Sequence, residues 1–129
     1  MTEIDTIPGW QSVIDWFGYS PNFHDAEVVS IELQRDPEAS YVRVHAWRTN
    51  SDTTEQGHYR QDRHALVTYS LKRITSLRLS GWNHQNVLSG LWVDRSEEGY
   101  VLHLPESYGV DGEVVAAEIS VSIKPFDSK

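Results

Sequence analysis

The chain has 129 residues, no cysteine and a formal net charge of −8. That length fits a single domain over residues 1–129, large enough to bury a core without a covalent staple. The missing cysteines exclude disulfides, thiolate metal sites and a cysteine nucleophile, and the acidic balance opposes phosphate backbones, so nucleic acid is not an expected partner.

The first expected element is a short helix. Trp10, Val13, Ile14 and Phe17 fall at i, i+3, i+4 and i+7, one face of a 3.6-residue period. Pro8-Gly9 precedes the run, and Gly18 with Ser20-Pro21 ends it. A face this aromatic needs a broad surface to pack on, and a sheet supplies one. From Ala26 the period drops to two, with Val29, Ile31 and Leu33 expected on the buried face of a strand that stops at Asp36-Pro37. Val42, Val44 and Ala46 alternate with Tyr41, Arg43, His45 and Trp47 in a second strand. Residues 49–57 are polar and read as a loop or long hairpin tip.

A third strand is expected over residues 65–71 and a fourth over 74–80, with Leu77 and Leu79 two apart. Residues 81–86 interrupt the pattern, and residues 87–94 resume it as a fifth strand. Glu97-Glu98-Gly99 turns the chain into a sixth over residues 100–104. An irregular stretch over 105–112 leads to the last strand, about residues 114–123, with Ala117, Ile119, Val121 and Ile123 on one face. Seven strands joined by short polar turns imply an antiparallel arrangement rather than parallel βαβ units. The fold class is therefore α+β, β-rich, with one N-terminal helix packed on the sheet.

Charge is unevenly spread. Residues 1–40 hold eight acids and one base, residues 41–80 three acids and seven bases, and residues 81–129 eight acids and three bases. Such a surface is soluble and attracts a basic partner. The start of the chain, Met1-Thr2-Glu3-Ile4-Asp5, is acidic where an export signal would be basic. No apolar run reaches the ~20 residues needed to span a bilayer. The expected location is cytoplasmic, with no membrane partner.

Two segments could carry chemistry. In Phe23-His24-Asp25-Ala26-Glu27, a histidine beside a carboxylate offers an acid–base couple, and His24, Asp25 and Glu27 could begin a metal site. Neighbours on an extended chain point apart, so a turn is needed before His24 and Asp25 converge; both are equally suited to capping that turn. In Gly81-Trp82-Asn83-His84-Gln85-Asn86, four consecutive polar side chains could read a polar ligand, with Trp82 as apolar anchor, or could satisfy the backbone of a strand crossing. Neither segment supplies three ligands at metal-binding spacing, and no nucleophile elbow or phosphate loop is present. No catalytic residues, metal or cofactor are expected. Five tryptophans and six tyrosines leave aromatics available for an interface.

The segments Phe23-His24-Asp25-Ala26-Glu27-Val28, Val44-His45-Ala46-Trp47, His64-Ala65-Leu66-Val67-Thr68-Tyr69, Trp82-Asn83-His84-Gln85-Asn86-Val87 and Tyr108-Gly109-Val110-Asp111-Gly112 resemble, in this order, the bacterial family immunity protein 50. The likeness spans about residues 22–124. It implies a small cytosolic protein of a polymorphic toxin system that binds a cognate toxin and protects the cell, and it carries no catalytic residues. Two other readings stand beside it. One is a small or metal-dependent hydrolase using His24, Asp25, Glu27 and His84; the other is a structural β-domain that forms a homodimer through a sheet edge.

Overall fold

The computed structural model describes residues 7–53 and 59–126, with side chains for residues 7–48 and 63–126. One helix, α1 (Trp10–Phe17), is followed by eight strands: β1 (Glu27–Glu32), β2 (Ser40–Thr53), β3 (Tyr59–Ser80), β4 (Val87–Leu88), β5 (Trp92–Ser96), β6 (Gly99–Leu104), β7 (Glu106–Tyr108) and β8 (Asp111–Pro125). All pairings are antiparallel. The order across the sheet is β5-β6-β8-β3-β2-β1-β4-β7.

That order forces the sheet to curl. β6 and β7 are separated by Pro105 alone, yet five strands lie between them. In a flat sheet they would be ~29 Å apart, whereas two residue steps span at most ~7 Å. The pairs Trp92 with His103 and Val87 with Tyr108 share one antiparallel register, so β4–β5 and β6–β7 are the two arms of a single bent hairpin. Its tip half pairs with β8 and its base half with β1. The hairpin thus bridges the two ends of the β1-β2-β3-β8 sequence and curls the sheet toward closure. This explains why residues 87–94, expected as one strand, form two.

The helix forms as its spacing predicts. Trp10, Val13 and Phe17 are buried, and Ile14 packs partly against them. Gly9 at φ 93° lets the entering chain lie on β8, where the Val121 N–H donates to the Pro8 carbonyl at 2.9 Å. A Cβ on Gly9 would sit 1.8 Å from the Val121 carbonyl oxygen, so only glycine fits. The other end is fastened reciprocally. Trp16 Nε1 donates to the Arg63 carbonyl and Arg63 Nε donates to the Trp16 carbonyl, each at 2.8 Å. The guanidinium lies 4.4 Å from the Trp16 ring centroid.

Two strand expectations are corrected. In β1 the pairing shifts between Val28 and Ser30, so Val28 faces the core and Val29 is 45% exposed, while Ile31, past the shift, packs partly on the core as expected. Leu33, beyond the strand, is 53% exposed. A bulge inserts one unpaired residue and reverses which side chains face inward. The third and fourth expected strands are one, β3, irregular at Arg73 (φ 58°) and between Ile74 and Ser76. Beyond this irregularity Leu77 turns outward while Leu79 packs on the core. Of the two readings of the polar stretch 49–57, the long hairpin agrees with the structure, since β2 runs to Thr53, which pairs with Tyr59 at the start of β3; residues 54–58 lie outside the described residues.

Where alternation is unbroken it reads true. Val42, Val44 and Ala46 are buried opposite Tyr69, Val67 and Ala65. Ile119 and Val121 of β8 continue this face, with Ile123 partly buried; Ala117, expected beside them, is displaced from it, because the inward parity changes between Ala116 and Ile119. Nearer the start of β8 the buried side chains are Val114 and Ala116, opposite Leu102 and Tyr100. All join one apolar cluster. Within it Phe23 sits between Trp10 and Tyr69, with ring centroids 6.1 and 6.3 Å away. Burial holds the Tyr69 phenol well above its usual pKa, which keeps it protonated.

Candidate functional site

Both polar segments singled out from the sequence flank the start of β1, and backbone hydrogen bonds tie them together. Asp25 N–H donates to the Leu88 carbonyl at 2.9 Å, and Val28 N–H to the Asn86 carbonyl at 2.8 Å. Phe23 and Asp25 take left-handed angles, φ 62° and 69°, at a cost on the order of 1 kcal/mol each. Asn22 Oδ1 accepts the His24 N–H at 3.0 Å, and the Ala26 N–H closes the turn on the Phe23 carbonyl at 3.0 Å. Burial of the Phe23 ring anchors the turn while its polar residues stay outside.

The turn brings His24 and Asp25 together, as an extended chain would not. His24 Nε2 lies 3.6 Å from Asp25 Oδ1, and His24 Nδ1 is 3.1 Å from the Ser89 carbonyl. Both side chains are more than half exposed. The Asp25 carboxylate makes no hydrogen bond to backbone among the described residues, so it is no cap of its own turn. Its positive φ aims it at solvent, and its N–H is already held by Leu88. Glu27 lies elsewhere. His24 and Asp25 line a groove of about 310 Å³ with Tyr19 and Trp47. Glu27 lines a second of about 460 Å³ with Val29, His45, Trp82, Asn83, His84 and Phe126. The set that a hydrolase would need is thus divided between two grooves. Among the described residues no three His, Asp or Glu side chains are placed to hold a metal ion.

In the second segment, Asn86 is separated from the rest by burial, at 3% exposure. Its Oδ1 accepts the Asn83 N–H at 3.1 Å and the Val110 N–H at 2.9 Å, and its Nδ2 donates to the Asn83 carbonyl at 2.9 Å. Gly109 at φ 92° permits this approach, since a Cβ there would come within 2.6 Å of Asn86 Oδ1. Asn83 turns its Oδ1 to the Gln85 N–H at 2.8 Å. Trp82, His84 and Gln85 are left exposed, with the Tyr108 ring edge-on to His84 at 6.5 Å. Asn86 and Asn83 therefore shape the loop, and Trp82, His84 and Gln85 form its outer surface.

The structure adds residues that the two segments do not contain. On the outward face of β2 and β3, His45 Nε2 and His64 Nδ1 are 2.9 Å apart, so one ring donates and the other accepts. Phe126 stacks on His45 at 4.2 Å, and Trp47 meets it edge-on at 5.2 Å. Burial first, and then the neighbouring His64, hold the His45 imidazole below its usual pKa. The outward parity of His45 beside Trp47 was visible in the sequence; the hairpin register that brings His64 alongside was not. On the far side of the sheet His103 is flanked by Asp94 at 3.0 Å and Glu113 at 3.6 Å, with Trp92 stacked on it at 5.2 Å. It faces neither groove.

No curated protein and no solved structure matched the chain. A family model did, over residues 9–125, taking in α1 as well as the segments on which the resemblance rested. Nearly the whole described fold lies inside that match, and the chain belongs to the Immunity protein 50 family.

Proposed function

We propose that this protein neutralises a cognate toxin of a polymorphic toxin system by stoichiometric, non-catalytic binding in the cytosol. Family membership over residues 9–125 carries the reading. The surface supports it. Tyr19, 46% exposed, and Trp82, 51% exposed, line the two grooves, and Tyr108, 51% exposed, lies against His84 at the second. Tyr and Trp are the side chains that most often anchor interfaces. A net charge of −8 steers a basic toxin toward them. The hydrolase reading retains only the exposed His24–Asp25 pair, apart from Glu27. Self-pairing through an edge meets short outer strands, five residues in β5 and three in β7, which are poor templates for another chain.

Co-expression with the product of the adjacent gene, followed by calorimetric titration, tests the reading. A 1:1 complex that abolishes toxin activity is expected. Its association rate should fall as salt shortens the reach of charge to ~10 Å or less. Permanent inactivation of excess toxin by a substoichiometric amount of this protein would overturn the binding mechanism.

A further inference from the structure

We propose that the groove lined by Glu27 and Trp82 is a receptor for a cationic side chain, an arginine or lysine presented by the bound toxin; this rests on the binding role proposed above. Glu27 opens β1 and is half-buried. Among the described residues its carboxylate has neither a hydrogen-bond donor nor a basic side chain as partner. Two other strand carboxylates differ: Glu32 meets Arg43 at 3.3 Å and Asp111 meets Arg78 at 3.2 Å. A partly desolvated carboxylate without a counter-charge is costly in isolation and favours a cation brought to it.

The walls suit the same ligand. The Trp82 indole, half exposed, and the Phe126 ring line the groove, and a guanidinium or ammonium that meets an aromatic face gains attraction beyond that of the carboxylate. His45 adds no opposing charge at neutral pH, since burial and His64 keep it unprotonated. The Asn83 amide at the rim is an uncharged polar group. The groove, at about 460 Å³, is wide enough for one long side chain. An aliphatic ligand would leave the carboxylate stranded, and an anion would meet it head-on. The geometry selects a cation carried on an apolar stem, the design of arginine and lysine. In an acidic protein, such a receptor also converts long-range steering into a defined anchor point.

The test uses N-acetyl-argininamide as probe and its uncharged isostere N-acetyl-citrullinamide as control, read by the indole N–H resonances of the intact protein. A saturable shift of the Trp82 signal with the arginine probe, on the order of millimolar, is expected, with none from the citrulline analogue. Glu27→Gln should weaken binding at least about tenfold, and Trp82→Leu, which lacks the reporter indole and is followed by calorimetric titration, by about threefold. An equal shift with citrullinamide, no saturable shift, or unchanged affinity in Glu27→Gln overturns the receptor. Circular dichroism establishes that both variants fold. A second arm titrates the adjacent-gene toxin. If it binds wild type and Glu27→Gln equally, the groove is not the anchor while the immunity role stands. If no toxin complex forms but argininamide binds as described, the immunity role fails and the cation receptor stands.

Discussion

Replacing Asn86 with alanine should be among the most damaging single changes near the candidate site, although Asn86 is almost wholly buried. The side chain serves three backbone groups. It accepts from Val110 N–H at 2.9 Å and Asn83 N–H at 3.1 Å, and it donates to the Asn83 carbonyl at 2.9 Å. Val110 is fully buried, so its orphaned N–H carries the full desolvation penalty, about 1–3 kcal/mol. The two Asn83 groups lie near the surface and regain water, at a smaller cost. The sum is about 2–4 kcal/mol, a fall in melting temperature of about 10 °C for a domain of this size. Urea denaturation should show a lowered midpoint with unchanged slope. Asn86→Asp sharpens the test, because it keeps the acceptors but sets a carboxylate against the Asn83 carbonyl. Its folded-state pKa should rise, so its deficit should shrink as pH falls toward the unfolded value of about 4, where the protonated carboxyl can donate, and change no further below it. An Asn86→Ala protein within about 0.5 kcal/mol of wild type, or an Asn86→Asp deficit independent of pH, would refute the clamp.

Gly9→Ala should cost more than about 3 kcal/mol or prevent folding, since its Cβ would strike the Val121 carbonyl and pull Trp10 from the core; near-native thermal stability would contradict the docking of α1. Arg63→Ala should cost about 1 kcal/mol through loss of the hydrogen bond to the Trp16 carbonyl and of the ring contact, with reduced hydrogen-exchange protection at the end of α1 as its signature. Because the folded His45 pKa lies below 6.5, the unfolded chain takes up more protons as pH falls through about 6.5, so stability should decline there and fall no further below the folded value. His45→Gln should flatten that part of the profile in denaturation series between about pH 7.5 and 5, and an unaltered slope would assign the proton uptake elsewhere.

Of the candidate site, the sequence disclosed the parts but not their assembly. The chemistry of Phe23-His24-Asp25 and of Asn83-His84-Gln85-Asn86 is local, and the turn at residues 22–26 is closed mainly by neighbours along the chain. The hydrogen bonds of Asp25 to Leu88 and of Val28 to Asn86 are not local. Nothing in either segment states that the other will lie beside it, or that Glu27 will leave His24 and Asp25 for the groove of Trp82. Asn86 was grouped with its exposed neighbours because burial of a polar residue is decided by what closes over it, here Val110 and Gly109 from 24 and 23 residues away.

The sequence by itself determined the helix, the strand-rich antiparallel class and the inward face of β2 at Val42, Val44 and Ala46. In those stretches the period of apolar residues is unbroken, and periodicity is a property of neighbours along the chain. Tertiary structure decided the rest. A bulge at Val28 put Val28 in place of Val29 on the core, and beyond the irregularity at Arg73 Leu77 turned outward. The bend between β4 and β5 turned one expected strand into two that bridge opposite sides of the sheet. The register of β2 on β3 set His45 against His64. Each of these depends on pairing between distant residues, where a one-residue shift exchanges the two faces of a strand, and hydrophobic pattern within a single segment does not carry that information.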